Sequence, residues 1–298
     1  MQFPLTSTPT PFLDLGAAAA RDPALVFDGE RLRCYYTLAE QSAGHYWLSV
    51  EVVDTRDLQT WSHPRRLTVS PLNFSSPGNA LRVGNEWVLC VQSYPIDPGE
   101  KYGNETSRLW LMRSPDLQNW SEPRMIYPQG CQVRWTASQR QIDPYLVRHA
   151  GNFYCFYKTG GQLGLLVSPD LDHWQEASPD RPVLGAGDTP DGVTVENPCV
   201  VEAPGGYAML FAPCRPLRGI GLAYSTDLLR WQDVHYLDFP ALPWADNGPT
   251  AGMVLDLRRE TGRWLMAFHG ERAAHQTNAH SAALALAWGE DLENWVLP

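Results

Sequence analysis

The heptapeptide SPDLDHW, residues 168–174, lies near the middle of the chain, and two close copies precede it and two follow it. The copies are TRDLQTW (55–61), SPDLQNW (114–120), STDLLRW (225–231) and GEDLENW (289–295). Successive aspartates of these copies are separated by 59, 54, 57 and 64 residues. Five matches at such even spacing indicate a structural repeat that spans the chain.

Each copy of the motif follows an apolar or alternating run of the kind that forms a β-strand. Each unit also opens with two such runs joined by a Gly-bearing turn, for example DPYLVRHAGNFYCFYK (143–158). We interpret the motif as a turn, because its Asp can bond nearby backbone amides and its Trp can pack back on the strand. The sequence thus predicts an all-β fold, a five-bladed β-propeller with four-stranded antiparallel blades whose first strands line a central channel.

The ends of the chain bear on how the ring closes. Only Val296, Leu297 and Pro298 follow the last copy of the motif, which suggests too few residues for an outer strand. We therefore expect the N-terminal residues, around Phe3 to Thr6, to supply the outer strand of the fifth blade and close the ring. Residues 1–298 are predicted to form one domain, with no helix longer than a couple of turns.

Composition narrows the possible partners and the location. The 298 residues are 44% hydrophobic, enough for a sizeable core, and the net charge of -10 without a basic run argues against nucleic acid. No signal-peptide pattern and no apolar run of 18 residues is present, so no membrane association is expected. The six cysteines lack C-x-x-C spacing and are predicted to be reduced and buried. These features predict a cytoplasmic location and leave the oligomeric state open.

The repeat also shows which residues begin the innermost strands, where side chains converge on one mouth of the channel. Asp22 and Asp143 each directly precede a proline, and Glu196 lies two residues before one, so a bulge is needed to bring Glu196 level with them. Asn79 and Asn247 fill the corresponding positions of the second and fifth blades, where they either hydrogen-bond a ligand or serve the geometry of a turn. Asp before Pro is common in turns. Three converging carboxylates nevertheless indicate a working site, because like charges held together raise one another's pKa and cost stability.

The order Asp-Pro, Asp-Pro, Glu-x-Pro, on five blades with an Asp-Leu-x-x-Trp signature, resembles glycoside hydrolase family 43 and its relatives in the five-bladed furanosidase group. The resemblance covers nearly the whole chain. It implies that Asp22 is the general base, that Asp143 orients and tunes the acid, and that Glu196 is the general acid. It also implies an oligosaccharide or glycoside substrate.

These roles agree with the chemistry of glycoside hydrolysis, which needs a protonated carboxyl beside the leaving oxygen and an ionised one beside the anomeric carbon. We expect Asp143, one blade away, to raise the pKa of Glu196 and keep it protonated. Asp22 lies two blade steps from Glu196, which leaves room for a water. This predicts inversion, for which carboxyl separations of about 6.5–9.5 Å are typical.

Further candidate residues of the site are predicted from less specific sequence features. Trp135 precedes the third inner strand and is either a platform for a sugar face or an ordinary buried tryptophan. Lys158 and Arg215 lie near the mouth, or are ordinary surface charges. His269, in a Phe-His-Gly segment that resembles the family's strand-end His-Gly, is the one histidine of residues 269–280 assigned to the pocket; His275 and His280 have no metal-like surroundings. The family's histidine at the start of the fifth inner strand has no match in residues 247–251, so no metal and no cofactor is expected.

Together these features predict an inverting, exo-acting glycosidase of pentose-containing plant glycans, an arabinofuranoside or a xyloside. The pentose preference comes from the resemblance alone. One alternative is a retaining fructan- or sucrose-acting hydrolase, disfavoured because Arg21-Asp22-Pro23 stands where an Asn-Asp-Pro-Asn segment is expected. Another is a propeller that binds carbohydrate without cleaving it.

Overall fold

The computed structural model describes residues 10–69, 71–272 and 282–298. Within these ranges, twenty strands form five four-stranded antiparallel sheets in which sequential strands are neighbours. The innermost strand of each sheet contacts the innermost strands of the sheets beside it, so the sheets form a closed ring. The predicted five-bladed propeller is confirmed.

The blades are given from inner to outer strand. The first holds β1 (Ala19–Phe27), β2 (Leu32–Ser42), β3 (His45–Thr55) and β4 (Arg65–Arg66). The second holds β5 (Ala80–Val83), β6 (Glu86–Gln92), β7 (Leu109–Ser114) and β8 (Arg124–Met125). The third holds β9 (Ile142–His149), β10 (Asn152–Thr159), β11 (Gln162–Ser168) and β12 (Gln175–Glu176).

The fourth blade holds β13 (Val195–Ala203), β14 (Gly206–Pro213), β15 (Gly221–Ser225) and β16 (Gln232–Tyr236). The fifth holds β17 (Gly248–Leu257), β18 (Arg263–Glu271), β19 (Ala282–Gly289) and β20 (Trp295–Val296). One helical turn, α1 (Arg258–Thr261), joins β17 to β18. No described residue lies in a helix long and apolar enough to cross a membrane.

Both ends of the described chain meet on the fifth blade. The expectation that too few residues follow the last motif copy was wrong: β20 pairs with β19 through Trp295 and Val296. Two residues suffice, because β4, β8 and β12 are equally short. Further along the same edge, the amide of Phe12 donates to the Leu284 carbonyl at 2.9 Å, so N-terminal residues do join this blade. The predicted closing segment, Phe3 to Thr6, lies outside the described residues.

The repeated motif is the turn between the third and fourth strands of each blade. In the third blade, Asp170 Oδ1 accepts the amides of Asp172 and His173, both at 2.9 Å. Ser168 Oγ accepts the amide of Leu171 at 2.9 Å, and Trp174 Nε1 donates to the Leu171 carbonyl at 2.9 Å. This confirms the interpretation of the motif as a turn closed by its Asp and Trp.

Each blade has a bend at one equivalent residue, within the innermost strand in four blades and just before β5 in the second. The bend is a left-handed backbone conformation, uncommon outside glycine, with φ of 47°, 41°, 53°, 51° and 50° at Asp22, Ser76, Asp143, Asn197 and Ala251. In four blades this residue precedes proline and in the fifth it precedes glycine. The bend corrects the alignment of the channel residues, since Ser76 and Ala251, rather than Asn79 and Asn247, are equivalent to the two aspartates. Glu196 lies one residue before the bend.

All six cysteines are free thiols, and five of them are buried, as predicted. The sixth, Cys214, is partly exposed at the end of the fourth inner hairpin.

Candidate functional site

A cavity of about 690 Å³ opens at the mouth of the channel where the bends lie. Residues from all five blades line it, and Asp22, Asp143 and Glu196 are among them. Its size is within the range of small-molecule sites. The structure thus brings together the three carboxylates that the sequence singled out.

Asp22 is held by uncharged groups. Its Oδ2 accepts hydrogen bonds from the hydroxyls of Thr37 and Ser76, both at 3.1 Å. Its own amide donates to Nδ1 of His269 at 3.1 Å. Both the backbone and the carboxylate of Asp22 are therefore fixed in orientation, with the side chain still partly exposed to the cavity.

Glu196 lies in a strongly positive environment. Lys158 Nζ donates to its Oε2, and Arg218 Nη1 is 3.6 Å from its Oε1. Burial alone acts to raise the pKa of Glu196, but Lys158 and Arg218 outweigh burial and lower it to about 2. The expectation that Asp143 keeps Glu196 protonated is thus corrected, because the nearest charge to Glu196 is the ammonium of Lys158.

Asp143 has the opposite character. It is nearly buried, and burial raises the pKa of its carboxyl to about 7, with the charges of Glu196 and Asp22 acting in the same direction. Lys158 and Arg140 oppose this shift. Below about pH 7 the proton of this cluster therefore lies on Asp143 in the unliganded protein.

Equivalent residues on the second strands of four blades each make a hydrogen bond to the following blade. These residues pair across the hairpin with the position before the bend, and they are Thr37, Gln92, Lys158 and His269. Three accept the amide of the bend residue in the following blade: Thr37 from Ser76 at 2.7 Å, Gln92 from Asp143 at 2.6 Å and His269 from Asp22 at 3.1 Å. The ammonium group of Lys158 cannot accept a hydrogen bond, and it donates one to Glu196 instead.

A fourth carboxylate, Glu271, was not anticipated from the sequence. It accepts hydrogen bonds from Arg21 Nη2 at 2.8 Å, Arg218 Nε at 3.0 Å and Asn247 Nδ2 at 3.1 Å. Burial acts to raise the pKa of Glu271, but His269, Arg21 and Arg218 hold it far below its ordinary value. Its contacts indicate a role in fixing these groups. In the sequence, the feature that could have indicated Glu271 is its position two residues after His269 on a second strand.

Four of the remaining predicted residues lie in or beside the cavity. Lys158, Arg215 and Asn247 line the cavity. His269 is buried and reaches the site through the amide of Asp22. The amide of Asn247 donates to Glu271, and the guanidinium of Arg215 lies 4.3 Å from the ring centre of Tyr236.

Two predicted residues lie outside the lining of the cavity. The side chain of Asn79 donates to the Leu146 carbonyl at 2.9 Å and accepts the Leu146 amide at 2.8 Å, so it joins the second blade to the third. Trp135 Nε1 donates to the Ser178 carbonyl at 3.0 Å. His275 and His280 are not among the described residues. In the part of the chain that is described, no three His, Cys, Asp or Glu side chains are grouped to hold a metal ion.

No protein-family model and no curated protein matches the sequence. Solved structures do match the fold. A thermostable family-43 glycoside hydrolase aligns with a TM-score of 0.63 and 14% identity over 99% of this chain and 96% of its own. The α-L-arabinofuranosidase of Podospora anserina, solved with cellotriose, aligns with a TM-score of 0.66 and 15% identity over 96% of this chain and 95% of its own.

The GH32 β-fructofuranosidase of Bombyx mori aligns with a TM-score of 0.69 and 13% identity, over 95% of this chain and 63% of its own. The predicted likeness to the family 43 propellers is confirmed for the fold. At these identities the likeness concerns the fold, and function has to be argued from the site.

Proposed function

We propose that this protein is a glycoside hydrolase whose reaction depends on Asp22, Asp143 and Glu196. The observation that carries the proposal is their convergence, from the first, third and fourth blades, on one cavity. The opposed pKa shifts of Asp143 and Glu196 support it. Carboxyl groups that differ in protonation state at one pH are what acid and base catalysis of glycoside hydrolysis requires.

In this proposal Asp22 is the base, since the hydroxyls of Thr37 and Ser76 orient its carboxylate. Asp143 and Glu196 form an acid pair that holds one proton below about pH 7. The proton lies on Asp143 before substrate binds. Glu196 can protonate a leaving oxygen only after it takes that proton, and Lys158 opposes this by stabilising ionised Glu196.

The finer parts of the proposal are inversion, exo action and a pentoside substrate. Asp22 and Glu196 lie on blades that are not neighbours, which supports a water between base and sugar. The fold likeness to an arabinofuranosidase supports a pentoside. The cytoplasmic location remains a prediction.

The test is hydrolysis of 4-nitrophenyl pentosides and hexosides, in both anomers, by the wild type and by Asp22→Asn and Glu196→Gln. Loss of the general base lowers kcat by roughly 10²–10⁴-fold, and loss of the general acid does so on oligosaccharides, whereas 4-nitrophenolate leaves without protonation. The exposed Asp238→Asn is the matched control and is expected to keep full activity. NMR of the first-formed product distinguishes inversion from retention.

Two outcomes contradict the proposal. Unchanged hydrolysis in both carboxylate variants removes the assigned roles. Saturable sugar binding without hydrolysis of any glycoside or natural oligosaccharide favours the non-catalytic propeller, for which the ion pair between Lys158 and Glu196 is the supporting observation.

A further inference from the structure

The cavity carries an excess of positive charge although the chain as a whole has a net charge of -10. Among the described residues, six cationic side chains line it: Arg21, Arg140, Lys158, Arg215, Arg218 and Arg272. Four carboxylates line it: Asp22, Asp143, Glu196 and Glu271. With all four carboxylates ionised the excess in the lining is two charges, and it is three when Asp143 is protonated.

Three of these cations form ion pairs with carboxylates of the lining. Lys158 pairs with Glu196, Arg21 pairs with Glu271, and Arg218 contacts both carboxylates. Two further cations have partners outside the lining. Arg215 Nη1 is 3.6 Å from Asp191 Oδ2, and Arg272 pairs with Asp14 at 2.5 Å.

Arg140 is the exception, since it makes no ion pair with any described residue. Its Nη1 donates to the Gly103 carbonyl at 2.9 Å, and its buried Nε–H has no acceptor in the described part of the chain. The Nε–H of Arg215 is likewise buried without an acceptor. These two Nε–H groups have almost no accessible surface, so a ligand in the cavity is bound by the terminal Nη groups. The guanidinium of Arg140, which lines the cavity without an ion-pair partner among the described residues, points to a ligand that supplies an anion.

The charges are also distributed unevenly around the cavity. Arg140 belongs to the third blade and Arg215 to the fourth, and these blades are neighbours in the ring. The second blade contributes only uncharged lining residues: Ser75, Ser76, Gln92, Tyr94 and Tyr102. Hydroxyl, amide and aromatic groups suit the neutral part of a sugar. Guanidinium groups suit a carboxylate, sulfate or phosphate, which they bind with two parallel hydrogen bonds.

We propose that the sugar bound in this cavity carries a negatively charged substituent, a carboxylate, a sulfate ester or a phosphate ester, which Arg140 and Arg215 bind. The inference deepens the proposed function by naming the substrate class. It concerns binding, and its test therefore does not depend on hydrolysis.

The first measurement compares matched sugars by titration calorimetry: methyl glucuronide with methyl glucoside, methyl galacturonide with methyl galactoside, the 6-sulfate and 6-phosphate of glucose with glucose, and the 5-phosphate of arabinose with arabinose. We expect at least one acidic sugar to bind on the order of tenfold or more tightly than its neutral partner. The acid that shows the largest advantage identifies the substituent. The advantage should shrink as salt is raised from about 0.05 to about 0.5 M, since salt screens charge interactions.

The second measurement repeats the titrations with Arg140→Gln and Arg215→Gln. Each variant should lose most of the acidic sugar's advantage while the neutral partner binds as before, and Arg140→Lys should restore part of it. The control is Arg65→Gln, which removes the same charge from an exposed position on β4. Thermal unfolding of each variant verifies that it is folded.

The inference is overturned if acidic and neutral sugars bind equally, if no acidic sugar binds, or if Arg140→Gln keeps the advantage. Its failure is separable from that of the proposed function. Hydrolysis of neutral glycosides without a preference for acidic ones removes this inference alone. Selective binding of an acidic sugar without hydrolysis of any glycoside removes the proposed function alone.

Discussion

The amide of Asp22 donates a hydrogen bond to Nδ1 of His269 at 3.1 Å, across the boundary between the first and fifth blades. Nδ1 accepts this hydrogen bond, and Nε2 on the other side of the ring lies 3.6 Å from Oε1 of Glu271. One buried imidazole therefore fixes the backbone of the proposed base and faces the cation-bound Glu271. It does so at the boundary where the two ends of the propeller meet.

Replacing His269 tests this relationship. His269→Leu leaves the Asp22 amide without an acceptor and is expected to lower the free energy of unfolding by about 1–3 kcal/mol. His269→Gln should retain most of the stability, since Gln92 accepts the equivalent amide in the second blade. Urea unfolding measures both, with the exposed His63→Leu as control. Equal losses in the Leu and Gln variants contradict the role assigned to the hydrogen bond.

Lys158 sets the charge state of the proposed acid pair. Lys158→Gln removes the cation that lowers the pKa of both Glu196 and Asp143, so both pKa values should rise. Activity that requires a protonated acid then persists to higher pH, and the alkaline limb of the kcat/KM profile moves upward. An unmoved alkaline limb in an active Lys158→Gln variant excludes this pair as the acid.

Asp143 should make stability depend on pH. Its folded-state pKa is raised from 3.8 to about 7, so the folded protein keeps a proton that the unfolded chain releases, and stability falls as pH rises through this window. Asp143→Asn removes this contribution to the pH dependence. Between pH 4.5 and pH 8 the unfolding free energy of the variant should therefore rise relative to that of wild type, by at most about 4 kcal/mol. Urea unfolding at both pH values measures the gain, with Asp238→Asn as control. A variant that follows the pH dependence of wild type contradicts the shift.

The repeated turn is expected to stabilise each blade. Asp227 Oδ1 accepts the amides of Leu229 at 2.9 Å and Arg230 at 2.8 Å. Asp227→Ala removes both hydrogen bonds and should cost about 1–2 kcal/mol of unfolding free energy. Asp227→Asn keeps an oxygen in place and should cost less. Chemical denaturation compares the two, and the idea fails if Asn is as damaging as Ala.

The fold could be predicted from the repeat. Each blade contains the same turn, which needs an Asp as acceptor and a Trp for packing, so the same residues recur in the sequence of every blade. The outer strand of the fifth blade was missed for a physical reason. Outer strands in this ring are as short as two residues, and a segment of that length has no sequence pattern of its own.

The site was predictable to a lesser extent. Asp22 and Asp143 were found because the bend in the inner strand falls just before a proline. Asn79 was misplaced because the second blade bends at Ser76. Glu271 and Arg140 lie on a strand end and a loop that no repeat marks. The protonation states were missed because they depend on how far the side chain of Lys158 reaches into the next blade.

The bend shared by all five blades has a consequence for engineering. Each blade presents one residue in the same backbone conformation, and four of these residues line the cavity: Asp22, Ser76, Asp143 and Asn197. Ala251 holds this conformation without the local hydrogen bonding that makes it easier for Asp and Asn. Exchanging acidic and small residues among the bend positions that line the cavity provides a way to reposition carboxylates without redesigning the scaffold.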